Sequence, residues 1–345
     1  MKKRVIFIDY IRFFAILSVV FIHSTSNALV NQYPNITSKT IMLFSTLTST
    51  AVPMFFFLSG AFNINRKNED LGTMKKKIHK LFNQLIIWTA VYYLIFAILK
   101  WDSSPLMILR ALFSSQVGHL WFMYPLISLY VLTPFISRLY NRIKEKEKRM
   151  LLFITFVLPL ILSTLSIKIE MIHVPSFSIF FPELGLYMLG KYIYDKKDDL
   201  KNKKCFVLSI IGMVVGIIGI LLLAQYYIHL NGISHSKPYF DYNKIPNIIL
   251  TLSIFLFYLN IETLLYKIPK KVTKFIKYVG SNTLGIYLIH KVFIYCFPTI
   301  KIGSYYITSN TGSFINMFLG TTIYFLLSVI SVFILKKIRL LKTIV

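Results

Sequence analysis

The sequence reads as an all-α polytopic membrane protein: a bundle of about ten transmembrane helices with both termini cytoplasmic. Three observations carry that reading. Hydrophobic residues make up 56% of the chain, and its mean hydropathy is +0.64. Apolar runs close to the bilayer-spanning length of about 20 residues recur throughout. Lysine and arginine concentrate in alternate connections, the bias that orients membrane helices.

Taken in order, the spans fall near 5–23, 40–62, 81–99, 119–137, 150–167, 177–194, 205–226, 246–266, 278–297 and 314–335. They make a single integral-membrane domain over 1–345 and leave no soluble domain of useful size. The first begins Met-Lys-Lys-Arg like a signal peptide, yet Asp9 and Arg12 interrupt what would be its uncharged core, so it is read as a retained helix. The tail and the segments 63–80, 138–149, 191–204, 267–277 and 336–345 hold 30 of the 39 Lys and Arg residues, and 24–39, 100–118, 168–176, 227–245 and 298–313 hold 7. An even number of spans keeps that alternation, with the basic set inside.

Trp101, Trp121 and the Tyr226–Tyr227 pair fall near outer boundaries, where amphipathic rings anchor. The stretch 106–117 is too short to span and is expected to lie along the outer face or re-enter it. The loop 227–245, with His229, His235, Asp241 and several tyrosines, is a plausible lip for an acceptor. Leu58-Ser59-Gly60 reads as the end of a helix rather than a serine nucleophile, because it has no local base and no strand before it.

Charge and cysteine content exclude other classes. A net charge of +26 suits nucleic acid, but the cations come as short clusters between apolar spans, which is the signature of membrane orientation. The expected surroundings are membrane lipid, with no nucleic-acid partner. Cys205 and Cys296 make no disulfide framework and no zinc spacing, and no two histidines sit as ligand pairs on one helix turn, so no metal is expected.

Asp9, Arg12 and His23 stand out inside the first span. Eleven residues are almost three helical turns, so Arg12 and His23 share a face about 16 Å apart along the axis. Asp9, three residues from Arg12, can pair with it there. Ionisable groups inside a membrane are costly and mark function or a pinned helix contact. His23, His119, His173, His229, His235 and His290 all fall at outer ends or loops, and His79 alone is cytoplasmic. A histidine titrates near working pH and can take a proton from a hydroxyl. Glu183, after Pro182, is a second intramembrane carboxylate, open to pairing with His23, Arg12 or Lys291.

Four motifs in order resemble the acyltransferase 3 family. They are Asp9-Tyr-Ile-Arg12 with His23 after ten further residues, Val52-Pro-Met-Phe-Phe-Phe-Leu-Ser-Gly60, His119-Leu-Trp-Phe-Met-Tyr-Pro-Leu-Ile-Ser-Leu-Tyr130 with Pro134, and Gly280-Ser-Asn-Thr-Leu-Gly-Ile-Tyr-Leu-Ile-His290. Two departures matter. Lys77 and Lys80 replace the family's basic Arg pair before span three, with Asn83 at its proline position and Trp88 kept, and Lys291 follows His290 where the family often has proline. Lysine attracts phosphate as a point charge without arginine's bidentate fork.

The resemblance implies transfer of an acyl group, most often acetyl, from cytoplasmic acyl-CoA to a hydroxyl of a cell-surface or lipid-linked glycan, at the plasma membrane. On that reading His23, Arg12, Asp9 and Glu183 form the catalytic set, with His23 as base. Lys76, Lys77, Lys80 and Arg12 hold the donor, and His119, Trp121, Tyr287 and His290 meet the acceptor. Acyl-CoA, expected as acetyl-CoA, is a substrate, and no bound cofactor is expected. The alternative is a flippase or exporter of a lipid-linked saccharide, its path lined by the same charges, or an assembly component without chemistry.

Overall fold

A computed structural model describes residues 4–31, 36–99, 118–165, 181–232, 242–302, 305–308, 314–339 and 341–345. Trp101, the stretch 106–117, His173, His235 and Asp241 lie outside the described residues. Helices dominate, and each of the ten intervals expected to span overlaps at least one. Among the described residues, six helical segments are long and apolar enough to cross a membrane: Ile6–Thr25, Lys39–Asn63, Leu71–Ile98, Gly118–Arg142, Lys203–His229 and Ile315–Lys337. The chain is a multi-pass membrane protein whose described residues are predominantly helical.

Helix α1 (Ile6–Asn31) is the hub. Its buried Ile8, Ile11, Ala15, Ile16, Val19 and Val20 recur at helical spacing, and the side chains cover more than one face. It touches α2 (Ile36–Thr48), α3 (Ala51–Asn63) and five elements from the C-terminal half: α10 (Ile245–Asn260), α11 (Glu262–Leu265), α12 (Lys270–Ser281), α13 (Thr283–Cys296) and α14 (Phe314–Lys337). The helix bearing Arg12 and His23 is therefore walled by protein rather than lipid.

Span two is broken at Ser49–Thr50, just before Pro53, whose missing N–H cannot continue the helical ladder. The helix does not end at Leu58-Ser59-Gly60 as expected; α3 continues to Asn63. Gly60 serves packing instead. α3 crosses α8 (Phe181–Asp195) so closely that a Cβ on Gly60 would sit 1.7 Å from the Tyr187 carbonyl oxygen, and one on Gly190 would sit 1.9 Å from that of Phe57. Small residues of this kind let membrane helices approach through their backbones.

Helix α4 (Leu71–Ile98) starts ten residues before the expected span, so its lysines stand on a helix and not in a loop. Asp70 caps it, accepting from the Thr73 amide at 2.9 Å, and these amide contacts hold its carboxyl below the usual carboxylate range. A short 3₁₀ turn (Gly118–Phe122) leads into α5 (Met123–Arg142). Then α6 (Glu145–Leu152), a π-helical turn (Phe153–Val157) and α7 (Leu158–Leu165) lead toward α8. α9 (Lys203–Asn231) packs on α10 and turns Leu208, Ile211, Val215 and Leu222 outward, an apolar face that suits lipid. The all-α expectation misses one detail: strands β1 (Thr299–Ile302) and β2 (Tyr305–Thr308) pair antiparallel between α13 and α14. Their β-branched and aromatic residues favour extended backbone.

Candidate active site

α13 runs beside α1 in the same direction: Ser281, just before it, meets Arg4, and His290 meets His23. Between them, closed by α3, α5 and the Gly118–Phe122 turn, lies a cavity of about 740 Å³ lined by both Arg12 and His23. Val19, on the same face of α1, lines it between them. The shared face expected from the eleven-residue spacing is the wall of this one space.

At its His23 end three histidines from distant parts of the chain converge. The His23 ring centre is 5.2 Å from that of His290 and 6.2 Å from that of His119, and His119 and His290 are 5.4 Å apart. Each is held by its neighbours. Tyr287 donates its hydroxyl to the His119 carbonyl, and Tyr92 stands edge-on to the His119 ring at 4.6 Å while donating to the Leu288 carbonyl at 2.7 Å. His290 Nδ1 lies 2.6 Å from the Tyr287 carbonyl. A carbonyl can only accept, so that nitrogen carries the proton and Nε2 is left with a lone pair. His290 Nε2 is buried with no hydrogen-bond partner among the described residues, and the buried His119 ring lies beside the Leu288 backbone.

At the other end the charges are tied down. Asp9 does not pair with Arg12. Both its oxygens are taken by Arg4, at 2.7 Å each, and Arg4 also donates to the Lys277 carbonyl and Ser281 Oγ. Arg4 precedes the helix, so its fork reaches back to grip Asp9 and the α12–α13 corner together, a bidentate geometry that Arg12 does not make. Arg12 points into the cavity, its guanidinium 5.1 Å above the Phe62 ring centre. Beside it runs a polar chain. Lys77 donates to Asn63 Oδ1 at 3.0 Å, and the Tyr130 hydroxyl bonds to Asn63 and Ser59.

The remaining expected residues divide. Trp121 and Tyr287 line the cavity, and Tyr242 stacks on Trp121 with ring centres 6.0 Å apart and planes 11° from parallel. Glu183 meets the cavity wall at Tyr242, whose hydroxyl donates to it. Lys291 lines the cavity near the histidines, with its ammonium 5.0 Å above the Tyr295 ring. Of the three lysines, Lys77 alone joins the polar chain beside Arg12, while Lys76 and Lys80 line a separate groove on another side of α4.

Sequence reasoning did not find Arg4, Tyr92 or the Ser59–Tyr130–Asn63 chain. Tyr92 stands one helical turn beyond Trp88, a spacing that was a usable signal; the others depend on tertiary contacts. Tyr242, from the loop expected as a lip, lines the cavity, while 233–241 of that loop lie outside the described residues.

No curated protein and no solved structure matches the chain. The family model described as an acyltransferase domain, Acyl_transf_3, matches residues 5–337, nearly the whole sequence, including Arg12, His23, the histidines that converge on it and the Gly60 crossing. The chain therefore belongs to the acyltransferase 3 family of membrane acyltransferases.

Proposed function

We propose that the protein is an O-acyltransferase of the plasma membrane that moves an acetyl group from cytoplasmic acetyl-CoA to a hydroxyl of a cell-surface or lipid-linked glycan. The observation that carries this reading is the single cavity shared by Arg12 and His23. With the lysine-rich connections on the inside, Arg12 and Lys77 stand at the donor end and His23 at the acceptor end. The thioester arm enters between them, so the polyanionic part of the donor never crosses the membrane.

His23 acts as general base. It takes the proton of the acceptor hydroxyl as that oxygen attacks the thioester carbonyl, forming the new C–O bond. The tetrahedral intermediate collapses, the C–S bond breaks, and the CoA thiolate recovers the proton from the imidazolium. His119 and His290 bind the acceptor: leaving His290 Nε2 buried without a hydrogen bond costs about 1–3 kcal/mol, which a sugar hydroxyl relieves. The Trp121–Tyr242 stack offers the flat wall a sugar ring packs on. Glu183 orients Tyr242, and Asp9 acts through Arg4 by fixing the Ser281 corner of the cavity.

The test is O-acetylation of surface glycans in cells lacking the protein, complemented with wild type, His23→Ala or Arg12→Ala at matched membrane abundance. Wild type is expected to restore acetyl groups and His23→Ala to fail. Full restoration by His23→Ala removes the assigned base. Glycan export that depends on the protein while acetylation does not would move the reading to a saccharide exporter.

A further inference from the structure

On the face of α4 that carries Lys76, His79, Lys80 and Asn83 lies a second cavity, of about 850 Å³. Lys75, Lys336 and Lys342 also line it, and no Asp or Glu among the described residues does. Its far wall is the segment 342–344, which is not loosely draped: Gln84 donates to the Thr343 carbonyl at 3.3 Å, and the Trp88 indole donates to the Ile344 carbonyl at 2.7 Å. Lys80 and Lys336 both line the cavity and repel one another, and Lys336 Nζ donates to the neutral Asn282 Oδ1 rather than to a carboxylate. Like charges gathered without a counter-charge repel one another, and a bound anion turns that repulsion into attraction.

The groove is polar at one end only. Ile87 lines it, and the outward residues of α4 continue as an apolar stripe, with Phe82 50%, Ile86 40%, Leu94 59% and Ile98 70% exposed. A cationic pocket opening onto a lipid-facing stripe fits an amphiphile with a phosphate head and acyl tails. We propose that this groove is a binding site for the phosphate headgroup of an anionic phospholipid, seated by Lys76, Lys80, Lys336 and Lys342 with its chains along the outer face of α4. Basic pockets between membrane helices recognise anionic headgroups in this way. The proposal stands apart from the acyl-transfer reading: Leu81, on the other side of α4, lines the Arg12–His23 cavity, and α4 separates the two spaces.

The experiment is native mass spectrometry of the full chain released from nanodiscs of equal phosphatidylglycerol and phosphatidylcholine. Wild type is compared with K76Q/K80Q/K342Q and with K270Q/K271Q/K274Q, which removes three lysines from α12 that do not line the groove. Each lysine near an anionic headgroup contributes a factor of about five in affinity. Wild type and the α12 variant are expected to retain phosphatidylglycerol adducts, and the groove variant to lose them at least about ten-fold. Equal loss in both variants means diffuse surface attraction and overturns the site. Displacement of the adduct by millimolar CoA, with no effect of added phosphatidylglycerol on CoA retention by the groove variant, assigns the groove to a soluble phosphate ligand and overturns the lipid.

Discussion

The two ends of the cavity are built on opposite principles. Around Arg12 the polar groups nearby are already answered: Arg4 holds Asp9, Lys77 holds Asn63, and Tyr130 holds Asn63 and Ser59. Around His23 the His119 and Tyr287 carbonyls are answered, and His290 Nε2 is left with a free lone pair among the described residues. A fixed cation suits the task of holding an anion in place, while a bare lone pair suits taking or sharing a proton. The contrast assigns positioning to one end and chemistry to the other.

The largest effect is expected from removing the bare end. His23→Ala should lower the turnover of acyl transfer by about 10²–10⁴-fold, the range for a lost general base, at unchanged membrane abundance. A loss below about three-fold in single-turnover assays would place the chemistry elsewhere. Gly60→Ala probes the frame that both ends share. With its Cβ 1.7 Å from a backbone oxygen, α3 and α8 must separate, and overpacking of this kind costs about 1–3 kcal/mol, read as a fall in thermal unfolding temperature in detergent. An unchanged melting curve would mean the helices do not cross there.

The fixed end should respond more mildly. Arg12→Lys keeps the charge and loses the planar fork, so it should raise the donor KM about ten-fold while leaving kcat nearly intact; the reverse split would make Arg12 part of the chemistry. Smallest is Asp9→Asn, which breaks an ion pair between a carboxylate only 3% exposed and an arginine 50% exposed. About 1–2 kcal/mol of stability is expected to go, after allowance for the exposed partner, with activity per folded molecule largely kept. Arg4→Ala should reproduce it. Full inactivity of folded Asp9→Asn, with Arg4→Ala active, would return Asp9 to the catalytic set.

What was legible in the sequence follows the same division. The Arg12–His23 face was readable because both residues lie on one helix, where spacing alone fixes direction. The convergence of His23, His119 and His290 was not, since three segments far apart in the chain supply it and no local period records their contact. Asp9 was misread for a related reason. Its partner, Arg4, sits outside the helix, where the three-residue rule for facing side chains does not apply. Leu58-Ser59-Gly60 read as a helix end because it lacked the base and strand of a nucleophile; only the close approach of α8 to α3 reveals the packing use of Gly60. Tyr92 was legible only through its place one turn beyond Trp88, since among 22 tyrosines residue type alone carries little information.

The division of labour is tested most directly by separating binding from transfer in purified protein in proteoliposomes: radiolabelled acetyl-CoA binding and acetyl transfer to the glycan acceptor, measured on the same preparation of His23→Gln. The expected result is donor affinity within about two-fold of wild type with transfer reduced by about 10²-fold or more. Transfer at the wild-type rate, or donor binding lost together with transfer, would contradict a cavity that positions at Arg12 and reacts at His23.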